Sequence, residues 1–240
     1  MSVDLTVNLL IRRGSGSQLY TVGVPEGASV LDALEAAGRQ DATLVFRHSC
    51  HHAACGSCGM IVNGRERLAC ATPVREAAGE REPVRLEPLR NLPLVADLAV
   101  DPSGFLARME AVGRPLSRRD ESGTAISPLV PGAPESFNRF ENCIECGLCV
   151  SACPIASISR TYLGPAVLAA AGRLLEEPRG RERAAVLDGI NGPDGVWRCR
   201  DVYLCTEVCP ADVNPGAAIA GLRRAIIFHP QGETQDETPL

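Results

Sequence analysis

The chain predicts an α+β fold, a small sheet-and-helix unit followed by a helical one, and two observations carry that reading. Val3, Leu5, Val7, Leu9 and Ile11 alternate with mostly polar neighbours, the period of a half-buried strand, whereas beyond residue 135 the apolar residues recur at helical spacing. Eleven cysteines fall into three ordered runs, four in the first half and seven in the second.

The elements follow in order. Gly14-Ser15-Gly16-Ser17 makes a turn, and Gln18 to Val24 reads as the returning strand of a hairpin. Ser29 and Asp32 open a helix as a capping-box pair; Val30, Leu31, Leu34 and Ala37 line its inner face, and Gly38 is expected to stop it. Leu44 to Phe46 and Met60 to Val62 are short strand candidates flanking the first cysteine run. Two strands, a packed helix and a cysteine loop thus describe a unit ending near Leu92.

Residues 96–134 read as a connector between a domain at 1–95 and one at 135–240. A helix is expected around Phe105 to Val112, then a linker rich in Gly, Pro and Ser from Gly113 to Pro134. Leu94, Val95, Leu98, Leu106 and Met109 give this stretch apolar groups to pack. In the second domain Pro165 suits a first helical turn followed by Val167, Leu168, Leu174 and Leu175; Arg183 to Ile190 and Pro215 to Ile227 are further helices. The polar, acidic end from Gln231 to Leu240 is expected to fray.

Composition excludes several classes. A net charge of −5 leaves no basic footprint for nucleic acid, although arginine supplies all 24 basic side chains and lysine none. No apolar run has the length of a membrane span, and Ala166 to Ala171 is too short. An odd number of cysteines without a signal peptide argues against a disulfide framework and for a reducing compartment.

Cysteine spacing carries the chemistry. Cys50-x4-Cys55-x2-Cys58 is the plant-type spacing for a [2Fe–2S] cluster, with Cys70 as the nearby fourth ligand. Gly56 and Gly59 would let the backbone fold tightly over that cluster and aim N–H groups at its sulfurs. His51 and His52 raise a Rieske-type alternative, or are simply exposed loop residues. Cys143-x2-Cys146-x2-Cys149-x3-Cys153-Pro154 is the bacterial ferredoxin pattern, whose fourth cysteine ligates the other cluster. The run Cys199, Cys205, Cys209-Pro210 overlays it, with Val202 where Cys146 would fall. Crossing the fourth cysteines assigns Cys143, Cys146, Cys149 and Cys209 to a [4Fe–4S] cluster. Cys153, Cys199 and Cys205 remain for a [3Fe–4S] cluster, unless Asp201 completes a fourth iron. Structural zinc could use the C-x2-C pairs but would need neither the third cysteine nor the trailing Cys-Pro.

With these residues in view, the chain resembles the iron–sulfur subunit of the succinate dehydrogenase/fumarate reductase family over nearly its full length. The resemblance lies in Phe46 to Cys50, Cys55 to Met60, Asn63-Gly64 and Leu68-Ala69-Cys70, with 11 residues between Cys58 and Cys70. It continues in Pro93 to Asp101, Cys143 to Cys149 and Trp197-Arg198-Cys199. The resemblance implies a plant-type ferredoxin-like β-grasp domain followed by an α-helical ferredoxin domain. It also implies a flavoprotein partner carrying FAD and the dicarboxylate site, and a membrane anchor with quinone and often haem. Electrons would pass from flavin to [2Fe–2S], [4Fe–4S], [3Fe–4S] and quinone, with this chain peripheral on the cytoplasmic face of the membrane. This chain would contribute no catalytic residue of its own.

Two departures concern the quinone. Family members using ubiquinone commonly carry a tryptophan shortly after the second run and a histidine directly after the first cysteine of the third. Here those places read Ile155 to Ile158 and Arg200. Menaquinone is therefore the expected quinone, and Pro154, Trp197 and Arg200 are the candidates for its region. Cys50-His51-His52 also departs from the arginine often found after the first cysteine. Rival readings are a fumarate reductase fed by a non-quinone donor, or a free ferredoxin-like carrier; the two-domain build argues against the carrier.

Overall fold

The computed structural model describes residues 5–79, 82–112, 142–176 and 183–228. In its first half, β1 (Leu5–Arg13) and β2 (Gly16–Val24) pair antiparallel, from Leu5 opposite Val24 to Arg13 opposite Gly16. The turn is therefore tighter than the predicted one, and Gly16 and Ser17 already belong to the returning strand. Val7, Leu9 and Ile11 all point inward, as their alternation requires.

Helix α1 (Val30–Gln40) begins at Ser29 in a reciprocal capping box with Asp32. It buries Val30, Leu31, Leu34 and Ala37 against the sheet but does not stop at Gly38. Gly38 stays helical with the Phe46 ring 3.4 Å from where its Cβ would be, and the chain leaves the helix at Asp41. Packing against an aromatic ring thus outweighs the helix-breaking tendency of glycine.

The sheet has five strands where the sequence reading placed a hairpin and two fragments. β3 (Gly59–Val62), β4 (Arg65–Leu68) and β5 (Val84–Glu87) complete the order β2-β1-β5-β3-β4, with β1 and β5 parallel. β4 and β5 are only four residues long, and in β4 the inward places hold Glu66 and Leu68, so a buried carboxylate hides the alternation there. The strand expected at Leu44 to Phe46 does not form. Val45 N–H donates to Asp97 Oδ2 at 2.9 Å and Val45 O accepts from Leu98 at 3.1 Å, so this segment is tied to the next hairpin instead. A short helix α2 (Val74–Ala77) lies between β4 and β5.

That hairpin, β6 (Leu94–Ala96) and β7 (Ala99–Val100), leads into α3 (Ser103–Ala111). Leu98 and Val100 join the core of the first half, whereas Phe105 and Met109 pack with Val150, Ala166 and Val167 of the second. The described part of the connector is a packed joint rather than a flexible tether. The predicted linker and the C-terminal tail lie outside the described residues.

The second half is helical: α4 (Leu148–Ala152), α5 (Pro154–Ile158), α6 (Pro165–Glu176), α7 (Arg183–Ile190), α8 (Leu204–Glu207) and α9 (Pro215–Phe228). Its apolar core is divided into small clusters, in contrast to the continuous core of the first half. Among the described residues no helix is long and apolar enough to cross a membrane.

The halves are clasped by polar groups as well. The Asn91 amide donates to the carbonyls of Val150, Ser151 and Cys153. The Ser151 hydroxyl donates to buried Glu66 at 2.9 Å and accepts the Arg90 N–H at 2.9 Å. Satisfying buried polar groups across the joint fixes its register.

Candidate metal centres

The first cysteine run forms a loop between α1 and β3, with Cys70 returning after β4 on a single 3₁₀ turn (Ala69–Ala71). Its thiols sit in two pairs. Cys58 and Cys70 have their sulfurs 3.4 Å apart, and Cys50 accepts the N–H of Cys55 and lies beside its thiol. Backbone N–H groups of Ala54 and Cys55 point at Cys50 Sγ at 3.3 Å, and that of Ala53 at Cys70 Sγ at 3.2 Å. The donors are Ala53, Ala54 and Cys55, with His51 and Ala53 both at positive φ.

These N–H groups have an electrostatic consequence. Donation from the His52 backbone holds the Cys50 thiol down at about 7, and the Ser57 hydroxyl lowers Cys55. Burial pushes Cys58 up to about 12. Neither histidine 51 nor 52 faces the thiols: the His52 ring bonds the Cys50 carbonyl, and His51 turns to His48 and Glu35.

Gly56 does something the sequence did not disclose. At φ +70, a Cβ there would stand 2.7 Å from Cys146 Cβ and 2.9 Å from the Ile144 carbonyl oxygen. Gly59 similarly faces the Cys146 carbonyl and Leu148 at 3.3 and 3.2 Å. The loops of the first and second runs thus touch backbone to backbone.

In the helical half the thiols divide between two cavities. Cys143, Cys146, Cys149 and Cys209 line one, with Ala169 and Val213 among its apolar wall. Cys153, Cys199 and Cys205 line the other, with Pro154, Arg200 and Val202. The crossing has a simple cause: α4 ends between Cys149 and Cys153, and α8 between Cys205 and Cys209, so in each pair one thiol rides on the helix and the other on the chain beyond it, and the two line different cavities.

The two loops also share a backbone shape. Glu145 and Gly147 have φ of 53° and 76°; Asp201 and Tyr203, at the matching places of the third run, have 53° and 63°. Val202 therefore occupies the conformation that presents Cys146. The carboxylate of Asp201 is held by Arg223, at 2.7 and 3.0 Å, and its Oδ1 also accepts from the Cys199 thiol at 3.7 Å. Arg223 also donates to the carbonyls of Val196 and Cys199, fixing the loop. The Trp197 indole donates to Asn191 at 2.8 Å and does not line the cavity.

Burial raises these thiols: Cys146 and Cys205 up to about 11, Cys143 and Cys153 also upward, and Cys149 well above the ordinary value. Gathering such groups is unfavourable unless a cation neutralises them as thiolates. A single zinc ion would draw its sulfurs to about 3.8 Å apart, given Zn–S bonds of about 2.3 Å. Among the described residues no three thiols lie within 4.8 Å of one another. The spread suits a polynuclear cluster, and the donors present fit one.

Comparison with known proteins agrees. Residues 12–107 match the 2Fe-2S iron-sulfur cluster binding domain and residues 139–213 the 4Fe-4S dicluster domain. The chain is 37% identical to the fumarate reductase iron-sulfur subunit of Haemophilus influenzae, covering 83% of this chain and 82% of that protein. It is 38% identical to the one of Mycobacterium tuberculosis, covering 88% and 86%. A chain of the Mycobacterium smegmatis Sdh1 complex superposes with a TM-score of 0.80 at 26% identity, covering 95% of this chain and 99% of that one. With cluster-binding thiols in both halves and relatives matched across both, the chain belongs to the iron–sulfur subunits of the succinate dehydrogenase/fumarate reductase family.

Proposed function

We propose that this chain is the electron-transfer subunit of a succinate:quinone oxidoreductase, conducting between the FAD of a flavoprotein subunit and a membrane quinone, menaquinone being the expected one. Domains at 1–95 and 135–240, joined by 96–134, would hold the conducting groups. Cys50 and Cys55 would bind one iron of a [2Fe–2S] cluster and Cys58 and Cys70 the other. Cys143, Cys146, Cys149 and Cys209 would hold [4Fe–4S], and Cys153, Cys199 and Cys205 [3Fe–4S]. When bound, such clusters accept and release single electrons.

The chain's own groups set the conditions. N–H donors at Cys50 and Cys70 stabilise negative charge on sulfur, and the apolar walls of the second half keep water from the buried thiols. Val202 withholds a fourth thiolate, leaving a three-thiol site. Gly56 holds the first two loops in contact. That contact is the observation carrying the proposal, because a conductor needs adjoining centres and a storage or structural site does not.

An anchor fits best against the third run. Val202, Tyr203 and Leu204 are exposed apolar groups there, and Ile158, at the end of the helix that follows the second run, is 80% exposed. Such a patch beside the three-thiol cavity is expected to be covered in the complex, with the chain peripheral on the cytoplasmic face. Pro154 and Arg200 line that cavity and remain the candidates for the quinone region, with Trp197 nearby in sequence.

The test is a low-temperature EPR redox titration of the native membrane complex. A three-iron signal lost on mild reduction, beside a [2Fe–2S] signal reducible by succinate, is the expected result. Two four-iron clusters and no three-iron signal would overturn the Val202 assignment. Isolation as a soluble monomer with intact clusters, free of flavoprotein and anchor, would favour the free carrier.

A further inference from the structure

Three of the four histidines in the chain fall at positions 48, 51 and 52, and two of them converge on a carboxylate. His48 Nδ1 and His51 Nε2 lie 3.1 Å apart. Glu35 Oε1 stands 3.5 Å from the first and 3.3 Å from the second. Among the described residues this is the group of histidine, cysteine and acidic side chains whose ligand atoms all lie within 4.8 Å.

We propose that Glu35, His48 and His51 form a binding site for one divalent first-row transition cation of the zinc class, at the rim of the [2Fe–2S] loop. Two imidazole nitrogens and one carboxylate oxygen are a borderline-soft donor set that suits zinc, copper or nickel and disfavours magnesium or calcium. Three protein ligands leave a fourth position for water or another donor.

The ligands are held before any ion arrives. Glu35 projects from α1, whose inner face is buried in the continuous core and whose N-terminus is closed by the Ser29–Asp32 box. The His48 ring stacks on Phe46, with centroids 5.3 Å apart and planes 26° apart. It meets His51 edge-on, at 5.2 Å and 81°. His51 takes φ of 62°, uncommon for a residue with a side chain, and from there its ring reaches Glu35. A hydrogen bond would account for one pair of these groups and an ion pair for another. Their mutual convergence is what a shared cation rewards, since exposed ion pairs alone contribute little. In the chain by itself His48 and His51 are 39% and 43% exposed and Glu35 27%, so the chain's own residues leave the site open to an ion.

The experiment uses the intact complex, washed free of loosely bound divalent ions and titrated with Zn²⁺ by equilibrium dialysis. One tight zinc site per copy of this chain is expected in the unaltered protein. Affinity should fall at least about tenfold, the scale of losing even an outer partner of a ligand, in each of E35Q, H48N and H51N. Cu²⁺ provides the second readout: its EPR spectrum should show coupling to two imidazole nitrogens, reduced to one in H48N or H51N. Retention of the [2Fe–2S] absorbance in each variant certifies that the loop has folded. Zinc affinity unchanged in any one of the three variants, or no site above non-specific binding in the unaltered complex, overturns the proposal.

Discussion

Replacing Gly56 by alanine tests the joint between the two halves. Two effects add. Holding a side chain at φ +70 costs about 1–2 kcal/mol. The new methyl would lie 2.7 Å from Cys146 Cβ and 2.9 Å from Cys146 Cα and Ile144 O, all close to the main chain, so no flexible side chain can swing aside. Parting the loops to 3.4 Å, where ordinary contact begins, requires a shift of about 0.7 Å. Such overpacking costs about 1–3 kcal/mol. The total is about 2–5 kcal/mol, or a fall in apparent Tm on the order of 10 °C for a chain of this size. Gly64→Ala is the control: φ is +82 but nothing lies within 4 Å, so only the backbone cost of about 1–2 kcal/mol applies. Thermal scans at one fixed rate compare the two variants with the unaltered protein. Hydrogen exchange should also accelerate at residues 89–92 and 147–151 in G56A and not in G64A. A G56A loss no larger than that of G64A would refute the claim that the loops are pressed together at this glycine.

Four further outcomes are expected. Val202→Cys places a thiol in the backbone conformation that presents Cys146, so the three-iron EPR signal should disappear and iron content rise; a retained signal would show that the two loops are not equivalent. Arg223→Gln removes charge-assisted bonds to Asp201 and to the carbonyls of Val196 and Cys199, each worth about 1.5–3 kcal/mol, and should speed cluster loss from the third run but not the first on exposure to air. Hydroxyl and N–H groups of Thr43, the Tyr20 hydroxyl and Arg13 hold the Asp41 carboxyl well below its ordinary value, so its stabilisation is present above the unfolded carboxylate range near pH 4 and is lost as pH falls through the folded value. Asp41→Asn should therefore lower Tm at neutral pH, and the gap to the unaltered protein should narrow below about pH 4; a gap independent of pH would remove the charge from the explanation. Finally, stripping the clusters should open the second half to limited proteolysis while the first half persists, because among the described residues only the first has a continuous apolar core; equal digestion of both would contradict this.

Much of the site could be read from spacing. The overlay of the third cysteine run on the second assigns Cys149 and Cys153 to different groups, and they line different cavities, because in both runs a short helix ends between the last two cysteines. The capping box at Ser29, the alternation in β1 and the helices at Pro165, Arg183 and Pro215 are equally local, and they appear where their residues put them. The same overlay could have flagged Asp201 and Tyr203 as positions of unusual backbone, since they match Glu145 and Gly147.

Other features were illegible for one shared reason. Strands β4 and β5 have four residues each, too few for a period, and exist because β1 and β3 offer them edges. The segment at Leu44 to Phe46 has strand-like residues, yet Asp97, 52 positions from Val45, captures its backbone. Gly56 looks like a loop glycine until Cys146, 90 positions away, arrives against it. Sequence alone determined the three cysteine runs and the elements with a clear period or cap, namely β1, α1 and the helices at Pro165, Arg183 and Pro215, because those depend on neighbours along the chain. Only the tertiary structure decided that the first two loops touch, that Arg223 reaches the Asp201 carboxylate, and that Glu35 meets His48 and His51. Each of those depends on the packing of surfaces that the chain brings together only when folded.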